Sequence, residues 1–136
     1  MRRVLICDDD ASIRFILKRI LTRECHVEVS EASGGLEAVK LLVSEPVDLL
    51  ILDLQMPGFD GHETLKTIRA SAFRDLPVVI VSGEREPEAV ARVIKLGVLG
   101  FIVKPLDRDT IVGTLRAFVD RIQEEERHAK ARDASR

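Results

Sequence analysis

The stretch Leu49-Leu50-Ile51-Leu52-Asp53-Leu54-Gln55-Met56-Pro57-Gly58-Phe59-Asp60-Gly61 decides how the chain is read. An apolar run ends at one carboxylate, and a segment rich in Gly and Pro turns the chain away. A continuous apolar run bounded by turn signals fits a strand buried on both faces of a parallel sheet. Ligands of open parallel sheets gather just beyond the carboxyl ends of the strands. Asp53 therefore stands where chemistry belongs.

Working outward, Arg3-Val4-Leu5-Ile6-Cys7 is a first apolar run that stops at Asp8-Asp9-Asp10. Ile13, Ile16, Leu17, Ile20 and Leu21 follow at helical spacing and predict a helix over about residues 11–23. Val27 to Ser30 alternates as an edge strand does. After Gly34-Gly35, Leu36, Val39, Leu42 and Val43 carry a second helical stripe that Pro46 ends. Val47 to Asp53 is the central strand, and a third helix opens near Gly61, shaped by Asp60. Pro77 to Ser82 is a further buried strand. Pro87 suits the first turn of a fourth helix, and Gly97 caps its far end. Phe101-Ile102-Val103 is the last strand, followed at once by Lys104-Pro105. Ile111, Leu115, Phe118, Val119 and Ile122 mark a closing helix. Strand and helix alternate five times, which predicts an α/β fold: one doubly wound five-stranded parallel sheet with helices on both faces. Residues 123–136 carry charge and alanine without an apolar stripe, so they extend the last helix into solvent or fray.

Composition narrows the function. The 136 residues suffice for one domain with a real core, and a net charge of −2 excludes the concentrated basic face that nucleic-acid binding needs. No apolar run approaches a membrane span and none resembles a secretory signal, which predicts a cytoplasmic protein without membrane insertion. Cys7 and Cys25 have no zinc-like spacing and read as buried or half-buried thiols. His26, His62 and His128 are scattered, and Glu124-Glu125-Glu126 reads as a wet helix face.

The chemistry lies at the strand ends. Asp8 and Asp9, Asp53, Ser82 and Lys104 follow four strands, and a parallel sheet brings those ends to one edge. Three crowded carboxylates repel one another. A hard divalent cation removes the conflict, and an all-oxygen set open to a phosphate favours Mg2+. Asp53 can take a phosphoryl group as an acyl phosphate. The Lys104 ammonium and the Ser82 hydroxyl offer a phosphoryl oxygen one charge and one hydrogen bond. Asp10 reads as a helix cap.

Taken together, Val4 to Asp10, Asp53 to Gly61, Ser82-Gly83 and Lys104-Pro105 resemble the receiver domain of two-component response regulators, of the stand-alone, chemotaxis-regulator-like kind. All four motifs occur in order and at family spacing, and residues 1–122 are covered. The resemblance implies a flavodoxin-like sheet of order 2-1-3-4-5 and a phosphorylation-activated signalling switch that acts catalytically only on itself. Asp53 would accept phosphorus from a phosphohistidine on a sensor histidine kinase or histidine phosphotransfer protein. Asp9 would bind Mg2+ directly, Asp8 largely through water, and Gln55 through its backbone carbonyl. Lys104 would pair with Asp53 and later with the phosphoryl group. Ser82 and Phe101 would form a switch pair, and Lys104-Pro105 would be cis.

The output partner would dock on the face of the fourth helix, last strand and last helix, with a homodimer left open. The acidic pair that many DNA-binding relatives carry near the last strand is replaced by Val98 and Leu99, which suggests a hydrophobic partner face or tighter packing. No effector domain follows the closing helix, so the chain acts alone, serves as a phosphorelay intermediate, or is a receiver from a larger regulator or hybrid kinase. Two rival readings are weaker. Aspartate-nucleophile phosphatases need an acid two residues on, where Gln55 stands. A phosphorylation-independent scaffold would not need Asp8, Asp9, Asp53, Ser82 and Lys104 intact. Gln55 and Glu84 flank the site and could tune hydrolysis in either direction.

Overall fold

A computed structural model describes residues 3–134. Ten elements alternate: β1 (Arg3–Cys7), α1 (Ala11–Glu24), β2 (Glu28–Ala32), α2 (Gly35–Ser44), β3 (Leu49–Leu52), α3 (Gly61–Arg69), β4 (Val78–Ser82), α4 (Pro87–Leu96), β5 (Gly100–Val103) and α5 (Arg108–Ala134). All neighbouring strands pair in parallel, in the order β2-β1-β3-β4-β5. The fold class and strand order are those expected.

The apolar runs are continuous because each strand feeds two cores. Side chains alternate across a strand, so Leu5, Cys7, Leu50, Leu52, Val78 and Ile80 pack with Leu65, Ile68 and Val93 on the side of α2, α3 and α4. Val4, Ile6, Leu49, Ile51, Val79 and Val81 pack with Leu17, Leu21, Ile111, Leu115, Val119 and Ile122 on the side of α1 and α5. Every residue of β3 is buried, whereas β2, at the sheet edge, buries only Ala32.

Helix boundaries follow local chemistry. Asp10 accepts the Ser12 N–H and caps α1, and Asp60 accepts the Glu63 N–H and caps α3. Pro87 opens α4, and Gly97, at φ 88°, ends it in a backbone conformation that side chains disfavour. β3 is shorter than the apolar run, although Asp48 already donates its N–H to the Arg3 carbonyl just ahead of the pairing of Leu49. β2 lies slightly later than its alternation suggested, and Val27 is buried just ahead of it. The charged tail is helical to Ala134, and its Glu125 pairs with Arg121 one turn earlier in α5. Val98 and Leu99 each pack against a core while staying half-buried, and Ile94 and Val103 are the exposed apolar residues of that neighbourhood. Cys7 is buried, Cys25 half-buried, and both are free thiols.

Candidate functional site

The carboxyl ends of β1, β3, β4 and β5 meet at one rim. Asp8 follows β1 directly: its N–H donates to the Ala32 carbonyl at 3.1 Å, extending the pairing with β2 by one residue. Asp53 follows β3, and its N–H donates to the Cys7 carbonyl at 3.0 Å. The carboxylates of the two residues are thereby carried by paired backbone. Both residues are nearly inaccessible, Asp8 at 2% and Asp53 at 4% exposure. Asp9 is exposed, yet one carboxylate oxygen from each of Asp8, Asp9 and Asp53 lies within 4.8 Å of the others.

Lys104 closes the cluster. Its Nζ donates to Asp8 Oδ2 at 2.8 Å and to Asp53 Oδ2 at 3.1 Å. Its backbone N–H donates to the Ser82 carbonyl at 2.9 Å, and the following peptide bond to Pro105 is cis, as expected. The remaining oxygens are also held: Asp53 Oδ1 accepts the Gln55 N–H at 3.0 Å, and Asp8 Oδ1 accepts the Asp10 N–H at 2.9 Å.

The charge balance at the rim is negative. Burial, with Asp53 adding to it, raises the Asp8 pKa against the opposing bonds from Lys104 and the Asp10 N–H. Burial also works against the Lys104 ammonium, but its two carboxylate partners outweigh that and raise its pKa. The two shifts have different causes: burial dominates at Asp8, and the paired carboxylates dominate at Lys104. Burial, helped by Asp8, pushes the Cys7 thiol up to about 12, which leaves it unreactive next to the site.

Ser82 is fully buried at the end of β4, where its Oγ accepts the Glu84 N–H at 3.2 Å. Phe101 does not join the carboxylate cluster. It pairs with Ile80 in the sheet and lies half-buried against the core on the α4 side. Because Ser82 lies two residues beyond Ile80, strand alternation puts Ser82 and Phe101 on the same face.

The turn after Asp53 is held by a close approach that only glycine permits. A Cβ on Gly61 would run into the Asp53 carbonyl oxygen and Leu54 Cα, while the Gly61 N–H donates to the Leu54 carbonyl at 3.1 Å. Gly61→Ala is expected to cost about 1–3 kcal/mol of stability, because the clash is with backbone that has no rotamer to escape into. Urea denaturation measures this, and an unchanged midpoint would show that the turn can yield.

Two residues that the sequence did not single out also hold this architecture. Arg14 donates from Nη1 to the Asp8 carbonyl at 2.6 Å. Arg69 donates to the carbonyls of Leu76, Arg74, Leu96 and Gly97, tying the end of α3 to the β4 approach and the end of α4. Neither bond has a local sequence signal, since an arginine at a helix surface gives no sign of which carbonyl it will meet.

This fold, with three acids and a lysine at the carboxyl rim, defines a class, and comparison with known proteins agrees. The chain belongs to the response regulator receiver domain family, whose model matches residues 4–116. It is 40% identical over 105 residues to a chemotaxis protein CheY homolog of Campylobacter jejuni, covering 76% of this chain and 81% of that protein. It is 35% identical over 120 residues to the CAI-1 autoinducer sensor kinase/phosphatase CqsS of Vibrio cholerae, covering 87% of this chain but 17% of that protein. A response regulator receiver protein from Pseudomonas putida superimposes with a TM-score of 0.81 at 33% identity, covering 88% of this chain and 96% of that structure. Receiver domains are signalling modules of two-component systems rather than enzymes in the ordinary sense. Among the described residues, no helix is long and apolar enough to cross a membrane.

Proposed function

We propose that this chain is a phosphorylation-activated switch that takes a phosphoryl group from a phosphohistidine onto Asp53 in a Mg2+-dependent reaction. The observation that supports this most directly is one ammonium shared by the buried carboxylates of Asp8 and Asp53, with Asp9 completing an acidic triad. The donor set fits Mg2+: every candidate ligand is oxygen, and three carboxylates facing one ammonium leave a negative excess that a divalent cation would offset. Asp8, Asp9 and Asp53 would hold the ion, with the Gln55 carbonyl as a further oxygen. When bound, Mg2+ supplies charge neutralisation for the phosphoryl oxygens.

The chain's own residues do the rest. The Asp53 carboxylate attacks phosphorus, the P–N bond of the phosphohistidine breaks, and the imidazole leaves with the electron pair. Lys104 moves one of its bonds from the carboxylate to a phosphoryl oxygen, and the Ser82 hydroxyl donates to another. Phe101, on the same face, takes the space that the Ser82 movement opens. The output is a changed surface around α4, β5 and α5, read by a partner protein.

Incubation with acetyl phosphate and Mg2+ tests the reaction. Intact mass should rise by one phosphoryl group, and hydroxylamine should remove it as it removes acyl phosphates. No uptake, or uptake stable to hydroxylamine, would reject the reading.

A groove beside the phosphoacceptor rim would suit the phosphohistidine protein. Between the middle of α1 and the start of α5, Phe15, Ile16, Ile20, Leu106, Ile111 and Val112, with Arg19 and Arg108, line a cavity of about 470 Å3. Phe15 is 63% exposed there. Both helices begin at the rim that carries Asp53, so a protein seated in this groove lies beside the phosphoacceptor. Phe15→Glu should slow transfer from a phosphorylated histidine phosphotransfer protein by roughly tenfold or more, as loss of an aromatic anchor does. Labelling by acetyl phosphate should be unaffected; equal slowing in both assays would remove the groove from the account.

A further inference from the structure

Among the described residues, Arg14 is the side chain outside the acidic triad and Lys104 whose charge is aimed at the triad's own backbone. Its Nη1 meets the Asp8 carbonyl at 2.6 Å, a short charge-assisted bond, and its Nε meets Glu31 Oε1 at 3.2 Å. Glu31 is shared with Lys18 at 3.5 Å. The guanidinium is thus held from β2 on one side and grips the β1–α1 loop on the other.

The carbonyl it grips belongs to the peptide joining Asp8 to Asp9. The Asp8 carboxylate has its own restraints in Lys104 and the Asp10 N–H. The Asp9 carboxylate has none: among the described residues no hydrogen bond or ion pair holds it. What the fold restrains there is the backbone that carries it, and the plane of the preceding peptide is part of that backbone.

We propose that Arg14 is a positioning residue for the metal ion, fixing the Asp8–Asp9 peptide so that the Asp9 carboxylate faces the other two. The inference rests on the reading of the acidic triad as a Mg2+ site. It makes a claim about sign. As a plain charge, a guanidinium near three carboxylates opposes binding of a second cation, so neutralising it would tighten Mg2+. As a clamp on the ligand loop, its removal weakens Mg2+, because supporting groups around metal ligands govern affinity.

Calorimetric titration with Mg2+ of the full chain separates these, with the Mg2+-induced rise in melting temperature as a second readout. Wild type is expected to bind and Asp9→Asn to lose most of that binding. Arg14→Met should bind roughly tenfold more weakly despite the lost positive charge. Arg14→Lys, which keeps the charge and loses the fork, should fall between them, and it decides the matter if the Met variant does not fold. With acetyl phosphate, Arg14→Met should need more Mg2+ while its rate at saturating Mg2+ stays near that of wild type. Wild type that binds Mg2+ alongside an Arg14 variant of equal or tighter affinity overturns the role of Arg14 alone. Wild type that binds no Mg2+ overturns the site and this inference with it.

Discussion

Asp53→Asn is expected to abolish phosphoryl uptake and to leave the protein folded. The asparagine amide lacks the anionic oxygen that attacks phosphorus, so the rate from acetyl phosphate should fall by roughly a thousandfold or more, as with loss of other nucleophiles. Structure should survive because the amide retains an oxygen for the Gln55 N–H, bonded at 3.0 Å in the wild type, and Lys104 keeps Asp8 at 2.8 Å. Removing one of three crowded acids also relieves repulsion, so the metal-free melting temperature should equal or exceed that of wild type. Intact mass after acetyl phosphate treatment and thermal melting in EDTA are the two measurements. Undiminished labelling would move the phosphoacceptor elsewhere, and a collapsed fold would show that the carboxylate has a structural role too.

Lys104→Met has the opposite profile, damaging stability and reaction together. Asp8 and Asp53 side chains are 3% and 4% exposed, so loss of their shared ammonium strands two buried anions. Breaking a buried pair from one side costs about 3–5 kcal/mol. Mg2+ should restore part of that loss, which EDTA then removes. Phosphorylation at saturating Mg2+ should drop by roughly a hundredfold to a thousandfold, the effect of deleting one preorganised donor.

The pH dependence of the pair follows from the raised Lys104 pKa. A cation held above its unfolded value stabilises fully below that value, 10.5 for lysine, and the contribution disappears as pH rises through the higher folded value. Wild type and Lys104→Met should therefore differ most near neutrality and converge in strong alkali. At the acid end the variant should recover, since an Asp8 already raised by burial takes up its proton more readily without its lysine. Urea midpoints across this range give the comparison: coincident curves would show that the two bonds contribute little to stability, and a constant gap that the difference does not come from their charges.

Element order was legible because apolar runs ending at Asp8, Asp53, Ser82 and Lys104 obey one rule: buried parallel strands stop where function begins. That same rule places Asp8, Asp9, Asp53 and Lys104 together from their positions in the chain, and the structure joins them. Asp10 was readable as a cap and Asp60 as the opening of the third helix because both effects are local. What escaped was long-range or permissive. The grip of Arg14 on the Asp8 carbonyl and the bonds of Arg69 depend on how distant segments arrive. Phe15 falls outside the stripe that marked α1, and its exposure emerges only when α5 is placed beside that helix. The tail could have frayed, yet a sequence of Glu, Arg, Lys, Gln and Ala continues a helix that the core has already nucleated.

The division of the interior by the sheet has a consequence for traffic through the molecule. The groove between α1 and α5 lies on one side of the strands, while Ser82 and Phe101 belong to the side of α4. On the proposed reading, the sender meets the α1–α5 wall while the switch pair lies behind the other wall, and α5 alone is common to the groove and the output face. A protein delivering phosphorus need not leave before the α4 side responds, so arrival and departure can overlap in time.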